Sequence, residues 1–256
     1  MTIERDVMEY DVLIVGGGPA GLSAAIKIKQ LAAKETKEIS VCLVEKGVEV
    51  GSHILSGAVI DPIALTELIP DWKEKGAPLN TKVSKDRFNI FSEKNSLNIP
   101  HWMMPPIMSN KENYIVSLGD LCGWLSKEAE NLGVEIYPGF SAQMPIFNSN
   151  EELIGITTGD MGRDSDNNET SNYVPGIEIH AKYSLIAEGT RGSITKIIEK
   201  KLNLRKNSDP QKYGLGFKEV WRIDKNKHQP GLVEHSLGWP LENDTGGGSF
   251  TYHYDE

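Results

Sequence analysis

Residues 10–30, YDVLIVGGGPAGLSAAIKIKQ, constrain the fold of this chain more than any other stretch. Residues 12–15 are an unbroken apolar run, the pattern of a strand buried on both faces of a parallel sheet. Gly16 ends the run, and Gly18 and Gly21 complete the spacing G-x-G-x-x-G. Ala20, Leu22, Ala24, Ala25, Ile26 and Ile28 then continue as a helix of small and apolar residues. In this spacing the first glycine makes the tight turn, the second lets a pyrophosphate approach the backbone, and the third lets the helix pack against the strand. Pro19 suits the helix start, where its missing N–H costs nothing. The phosphates of a dinucleotide would then lie against the positive end of the helix. Val15, Gly16, Gly17, Gly18, Pro19, Ala20 and Gly21 are therefore candidate cofactor-binding residues.

The second half of the pattern follows in ISVCLVEKG. Residues 39–44 read as the next strand, and Glu45 falls at its end, 24 residues after Gly21. An acid about 20 residues beyond the glycines accepts the ribose hydroxyls of an adenosine in such a βαβ unit, and it disfavours a 2′-phosphate. Lys46 joins Glu45 in the candidate set. A plain glycine turn with a solvated Glu45 is the blander alternative, and the ordered series of strand, glycines, helix, strand and acid argues against it.

A chain of 256 residues with 39% hydrophobic content can bury a core for one large or two interleaved domains. Its net charge of −9 argues against nucleic acid as a partner and against electrostatic adhesion to anionic lipid, so any membrane contact would be hydrophobic. Cys42 and Cys122 are the only cysteines, and they form neither a disulfide framework nor a metal motif; both are expected to be buried thiols. No apolar signal segment or Arg-rich presequence precedes Tyr10, so a cytoplasmic or mature form without a secretory signal is expected. No run of 18 apolar residues is present.

Further along, Ser117 is placed to cap a helix running to about Asn131, with Leu118, Leu121, Cys122, Leu125, Ala129 and Leu132 as its buried stripe and Gly133 as its stop. VEIYPG reads as a strand, and residues 140–147, 153–158 and 177–181 read as a three-stranded antiparallel excursion. Residues 159–176, polar and acidic, read as a flexible hairpin loop. Residues 183–187 form another strand, Glu188-Gly189 breaks it, and Ser193 is placed to cap a helix reaching about Leu202. This is a second strand, turn and helix set to meet a ligand at a strand's carboxyl end.

That order of elements resembles the glutathione-reductase-type FAD fold in its two-domain hydroxylase and reductase branch. The resemblance implies FAD as cofactor and puts Glu188 and Gly189 near the flavin ribityl and pyrophosphate. Relatives often carry a basic residue just before the helix that starts here at Leu118, where this chain has Ser117. Residues 45–79, together with NYIVSLGDLCGWL, IAEGTRG, YGLGFKEVW and GWPLENDTGGGSFTYH, closely resemble the electron transfer flavoprotein:ubiquinone oxidoreductase family. The resemblance covers essentially the whole chain. It implies an α/β fold in which a Rossmann-like FAD-binding domain with an antiparallel meander, residues 1–60 and 110–205, is interleaved with a second α+β domain. That second, quinone-binding and membrane-contacting domain is expected over residues 61–109 and 206–256. It also implies an oxidoreductase that takes electrons from reduced electron transfer flavoprotein and delivers them to ubiquinone, linking fatty-acid and amino-acid oxidation to the respiratory chain. The 4Fe-4S cluster of such an enzyme needs cysteine thiolates. These ligands are expected in a C-terminal region beyond this truncated chain. The enzyme would sit peripherally on the inner membrane, on the cytoplasmic face in bacteria or the matrix face in mitochondria.

His53 and Ser56, in the turn after the second strand, are candidate neighbours of the isoalloxazine, with a structural histidine as the plainer alternative for His53. Gly57 joins the candidate cofactor-binding set. Within the family frame Gly247 and Gly248 map beside the quinone head group, a flexible turn before the next strand being the alternative. Residues 51–72 are amphipathic but too short and too punctuated to span a bilayer, which leaves a core helix or an interfacial one. The resemblance implies that this segment dips into the membrane surface. Residues 98–108, a proline-interrupted apolar loop with Trp102, either line the same entrance or pack inward. The chemistry demands no acid, base or nucleophile from the protein, because the flavin holds the redox reactivity. An NAD(P)H-dependent reductase or hydroxylase of the same fold and a non-catalytic fragment are the other readings, and the isolated chain is expected to hold FAD weakly and not to complete electron transfer.

Overall fold

The structure, a computed structural model, describes residues 4–55, 57–166, 168–242 and 244–254. In chain order it begins with β1 (Val7–Val15), α1 (Pro19–Lys34), β2 (Val41–Glu45), β3 (Gly57–Ile60), α2 (Ile63–Leu68), β4 (Thr81–Lys82), β5 (Lys85–Phe91) and β6 (Ser96–Ile99). After β7 (Tyr114–Ser117) come α3 (Leu118–Asn131), β8 (Glu135–Pro138), β9 (Ala142–Phe147), β10 (Leu153–Thr158), β11 (Met161–Arg163) and β12 (Glu169–Val174). β13 (Glu178–Ile186), α4 (Ser193–Lys201), β14 (Leu232–Gly238) and β15 (Ser249–Tyr252) complete the set. The chain divides into two compact units, residues 1–54 with 122–216, and residues 55–121 with 217–256.

The first unit is built on a sheet of order β8-β2-β1-β13-β10-β9. β8, β2, β1 and β13 run parallel, and β10 and β9 are antiparallel additions. The apolar run of β1 is explained by cover on both faces. Gly21 of α1 lies so close to Ile14 that an added Cβ would sit 3.1 Å from its methyl. On the opposite face Leu13, Val15, Cys42 and Val44 share a core with Ile156, Ile179 and the α4 residues Ile194 and Ile198. Leu13, Ile14, Leu22, Leu43, Ile156 and Ile179 are fully buried, and each contributes roughly 1.5–3 kcal/mol of burial.

Two sequence expectations change here. The strands expected at 177–181 and 183–187 are one strand, β13. It pairs with β1 continuously from Val7↔Glu178 to Val15↔Ile186, while its first part also pairs with β10. Lys182, which breaks the apolar pattern, simply points outward to the Asp11 carboxylate, 2.6 Å away. The region expected as a flexible hairpin loop, 159–176, is built on the paired antiparallel strands β11 and β12. It is organised by Asp160, which accepts hydrogen bonds from Arg5 (2.8 Å), Gly176 N–H (3.0 Å), Arg163 (2.9 Å) and Tyr173 (3.1 Å). These donors hold the Asp160 carboxyl well below the usual range.

The helix starting at Leu118 matches its reading. Ser117 Oγ accepts the Asp120 N–H at 3.2 Å, and Gly133 closes the C-terminus with φ +81°. Leu132 is the exception to its stripe, being 38% exposed.

The second unit holds a sheet of order β15-β14-β5-β6 and a smaller one of order β3-β7-β4. α2 is only six residues long, and the apolar side of its segment turns inward. Leu65, Ile69 and Trp72 are buried, with Trp72 edge-on to Tyr114 and its indole N–H on Thr66. Residues 98–108 behave oppositely. Proline-punctuated turns at His101–Met103 and Pro106–Met108 leave Trp102 84% and Ile107 93% exposed. Asp86 Oδ2 ties both ends of this loop, accepting from His101 Nε2 (2.9 Å) and from the Asn110 N–H (2.8 Å). Among the described residues no helix is long and apolar enough to cross a membrane.

Candidate functional site

At the carboxyl ends of β2, β1 and β13, three backbone turns meet. Gly16 N–H donates to Val44 O at 2.9 Å and Ala187 N–H to Val15 O at 2.8 Å. Gly16 takes φ +111°, and a Cβ there would collide with the Ala187 carbonyl. A Cβ on Gly21 would collide with the carbonyl of Gly16. These two glycines are thus required by the protein's own packing.

Gly18 is different. It is the extended N-cap of α1, and a Cβ there would meet nothing within 4 Å. No side chain caps α1, its first turn holds no acid, and Pro19 stands at the start. The N-terminal N–H groups and the positive end of the helix therefore face a space that suits an anion. Glu45 lies beside it, half-buried at the end of β2. Its Oε2 accepts the Gly17 N–H at 2.8 Å and its Oε1 the Gly47 N–H at 2.7 Å. A carboxylate has about four acceptor positions. Two remain for a pair of ribose hydroxyls, so these residues fit the adenosine diphosphate half of FAD.

The other expected residues are distributed as follows. Val15 is buried, so only its backbone is available, while Pro19, Ala20 and Lys46 are exposed at the turn. His53 is exposed in a turn closed by Ile54 N–H to Gly51 O at 2.9 Å. Ser56 lies outside the described residues. Gly57 opens β3 in the second unit, where an added Cβ would come within 2.8 Å of Tyr252 Oη.

Glu188 and Gly189 follow β13, next to the Gly16 turn. The Glu188 carboxylate is directed at α4, where it accepts the N–H groups of Ser193, Ile194 and Thr195 and the Thr195 hydroxyl. Ser193, expected as the cap, is instead the first helical residue, and Gly192 holds the N-cap position without a side chain to offer. The physical reason is reach: Glu188 spans the Gly189–Arg191 turn and supplies the acceptors that a local Ser hydroxyl would have supplied. Gly192 and Thr195 join the arrangement without being candidates from the sequence. Their signal is a small residue immediately before a helix and a hydroxyl on its third residue.

In the second unit a cavity of about 670 Å³ is bounded by Phe91, Leu237, Trp239, Leu241, Gly248 and Ser249, with the β5–β6 turn completing it. Gly248 forms part of this wall and backs directly onto the Ser236 carbonyl. Gly247 stands beside Leu241, within 2.9 Å of where its Cβ would be. Burial pushes the Cys42 and Cys122 thiols up to about 12, away from nucleophilic or ligating thiolate. Among the described residues no group of three His, Cys, Asp or Glu is placed to hold a metal.

A glycine turn and an acid at neighbouring parallel strand ends, with an antiparallel meander returning to the same sheet, define a Rossmann-like FAD-dependent oxidoreductase fold. An FAD binding domain family model matches residues 11–64. Two solved structures share this fold: a geranylgeranyl bacteriochlorophyll reductase-like protein from Thermoplasma acidophilum (TM-score 0.56, 18% identity, 91% of this chain and 51% of that one) and a flavoprotein/dehydrogenase from Cytophaga hutchinsonii (TM-score 0.51, 17% identity, 90% and 50%). At that identity they speak for the fold alone.

The sequence relatives are narrower. Electron transfer flavoprotein-ubiquinone oxidoreductase of Pseudomonas aeruginosa is 55% identical over 99% of this chain, and the mitochondrial protein of that name from Bos taurus is 51% identical over 100%. A model described as ETF-QO, ubiquinone-binding matches residues 213–256. The chain belongs to the electron transfer flavoprotein-ubiquinone oxidoreductase family. It spans 46% and 41% of the length of those two relatives.

Proposed function

We propose that this chain forms the FAD-binding part and a portion of the quinone-binding part of an oxidoreductase that carries electrons from reduced electron transfer flavoprotein to ubiquinone. One observation carries the reading: 55% identity to such an oxidoreductase runs through 99% of the chain, across both the FAD-type turn and the 213–256 match. Bound FAD supplies the electron-transfer chemistry. The chain's own residues do the holding. The uncapped N-terminus of α1 and the space over Gly18 receive the pyrophosphate, and Glu45, fixed by Gly17 and Gly47, accepts the ribose hydroxyls. Lys46 and Gly57 remain proposed FAD-binding residues, and His53 and Ser56 proposed neighbours of the isoalloxazine.

In the second unit we assign the quinone ring to the apolar cavity beside Gly248, with Gly247 adjoining it. Its aromatic and aliphatic wall of Phe91, Leu237, Trp239 and Leu241 suits the face of a flat, lipid-soluble ring, and the polar side chains of the β5–β6 turn suit the ring's carbonyl edge. A 4Fe-4S cluster completes the electron path in this proposal, and the buried Cys42 and Cys122 are not its ligands. The protein works peripherally at the inner membrane, where the 51–72 segment offers the exposed Leu55 and Ile63. Its buried Leu65, Ile69 and Trp72 leave the interfacial share to these and to neighbouring apolar surface.

The test, made on the protein assembled with its iron-sulfur part, is anaerobic reduction of the flavin, followed at its visible band. Reduced electron transfer flavoprotein is expected to bleach the band and a ubiquinone analogue to restore it. Bleaching by NADPH and not by the flavoprotein would replace this reading with a nicotinamide-dependent reductase.

A further inference from the structure

Glu188 stands where sequence reading expects a direct cofactor contact, yet its carboxylate is fully engaged elsewhere. Oε1 takes the N–H groups of Ser193 (3.0 Å) and Ile194 (3.3 Å), and Oε2 takes the Thr195 N–H (2.8 Å) and hydroxyl (2.7 Å). Four donors use the roughly four acceptor positions that a carboxylate has. None remains for a ligand hydroxyl. A side chain at residue 192 would collide with both Glu188 Oε2 and Thr195 Oγ1, so Gly192 is the small residue this arrangement needs.

The turn closed in this way adjoins the glycine turn of β1. Ala187 donates to Val15 O, its carbonyl fills the space beside Gly16, and Glu188 N lies 3.4 Å from where a Gly16 Cβ would be. The same turn presents Gly189, exposed, at φ +77°, with nothing within 4 Å of an added Cβ. At Gly189 the turn therefore offers bare backbone, flanked by the exposed Thr190 and Arg191.

We infer that Glu188 is a positioning residue: with Thr195 as its partner and Gly192 as its clearance, it preforms the turn beside Gly16, and FAD meets the backbone of that turn and not the carboxylate. The inference rests on the FAD reading above. Holding a loop in its bound shape raises affinity by removing the cost of ordering it on binding.

The experiment measures FAD affinity by flavin fluorescence quenching, after the flavin has been stripped from the holoprotein, for Glu188→Ala, Thr195→Val, Thr195→Ser and the Glu188→Ala/Thr195→Val pair. Glu188→Ala is expected to raise the FAD Kd about tenfold, the equilibrium equivalent of one lost helix cap. Thr195→Val is expected to raise it about threefold, as for one hydrogen bond, and Thr195→Ser to restore the wild-type value. The double variant should bind no more weakly than Glu188→Ala, because both act through one unit. A Thr195→Val protein with wild-type affinity, or additive effects in the pair, would overturn the inference in favour of direct contact. Lower melting temperatures with unchanged Kd in every variant would overturn it too. If Glu188→Ala does not fold, the Val and Ser variants at Thr195 decide alone. A wild-type protein that takes up no FAD would instead sink the FAD reading, and that is seen before any variant is made.

Discussion

The two glycine-rich turns of this chain look alike in sequence and differ in what their glycines are for. In GGGPAG, Gly16 and Gly21 are demanded by neighbouring carbonyls, while Gly18 has open space where its side chain would be. In TGGGSF, Gly248 is demanded by the Ser236 carbonyl, Gly247 meets only the flexible end of Leu241, and Gly246 meets nothing. Each turn therefore contains glycines that the fold requires and glycines that it does not. A glycine with no internal reason to lack a side chain points outward, to whatever approaches the backbone there.

The comparison breaks first at its strongest point. Gly21→Ala drives a Cβ into backbone that cannot yield, and overpacking of that kind costs roughly 3 kcal/mol or more. The expected outcome is a large fall in melting temperature together with loss of flavin. Gly248→Ala makes the same collision in the second unit and is expected to cost roughly 1–3 kcal/mol, whereas Gly246→Ala stays within about 0.5 kcal/mol. Chemical denaturation of the two variants side by side checks this, and equal midpoints would erase the distinction.

Gly18→Ala separates stability from binding. Its φ of −80° accepts alanine, so the denaturation midpoint should stay within about 0.5 kcal/mol of wild type. FAD affinity should nevertheless fall about tenfold, because the methyl occupies the pyrophosphate's approach. A fall in stability with unchanged affinity would mean that the space over Gly18 is not used.

The smallest effect distinguishes the units by pH. The Asp86 carboxylate raises the pKa of His101 above its ordinary 6.5, so the ion pair stabilises the 101–110 loop fully below that value and is lost as pH rises through the raised pKa. In the first unit, Asp160 contributes above the ordinary carboxylate range and loses its contribution only as pH falls through its depressed pKa. Between pH 6 and 8, hydrogen exchange corrected for intrinsic rate should therefore quicken in the 101–110 loop and stay constant around Asp160. Trp102 fluorescence gives a second view of the loop.

What the sequence made legible was whatever repeats at short range. The strand, glycines, helix and acid from Val12 to Glu45 are a local pattern, and the Ser117 cap and Gly133 stop are likewise set by adjacent residues. The union of two expected strands in β13 was hidden because Lys182 interrupts the apolar pattern, and its partner Asp11 is 171 residues away. The hairpin at 159–176 was legible as a hairpin, but the pairing of β11 with β12 was not, because its order comes from Asp160 reaching Arg5 and not from apolar residues. The cap by Glu188 crosses a whole turn, so no nearest-neighbour rule finds it. Trp102 and Ile107 carried no periodicity that could say inside or outside, and only the structure sets them outward.

The central claim is that the Gly16–Gly21 turn and Glu45 hold the adenosine diphosphate half of FAD. Calorimetric titration of the flavin-free protein with FAD and, separately, with FMN tests it directly, because FMN has the ring and ribityl chain but no adenosine. The account predicts one FAD per chain and FMN weaker by about a hundredfold or more, as expected when a pyrophosphate and ribose contact are both absent. FMN binding as tightly as FAD would contradict it.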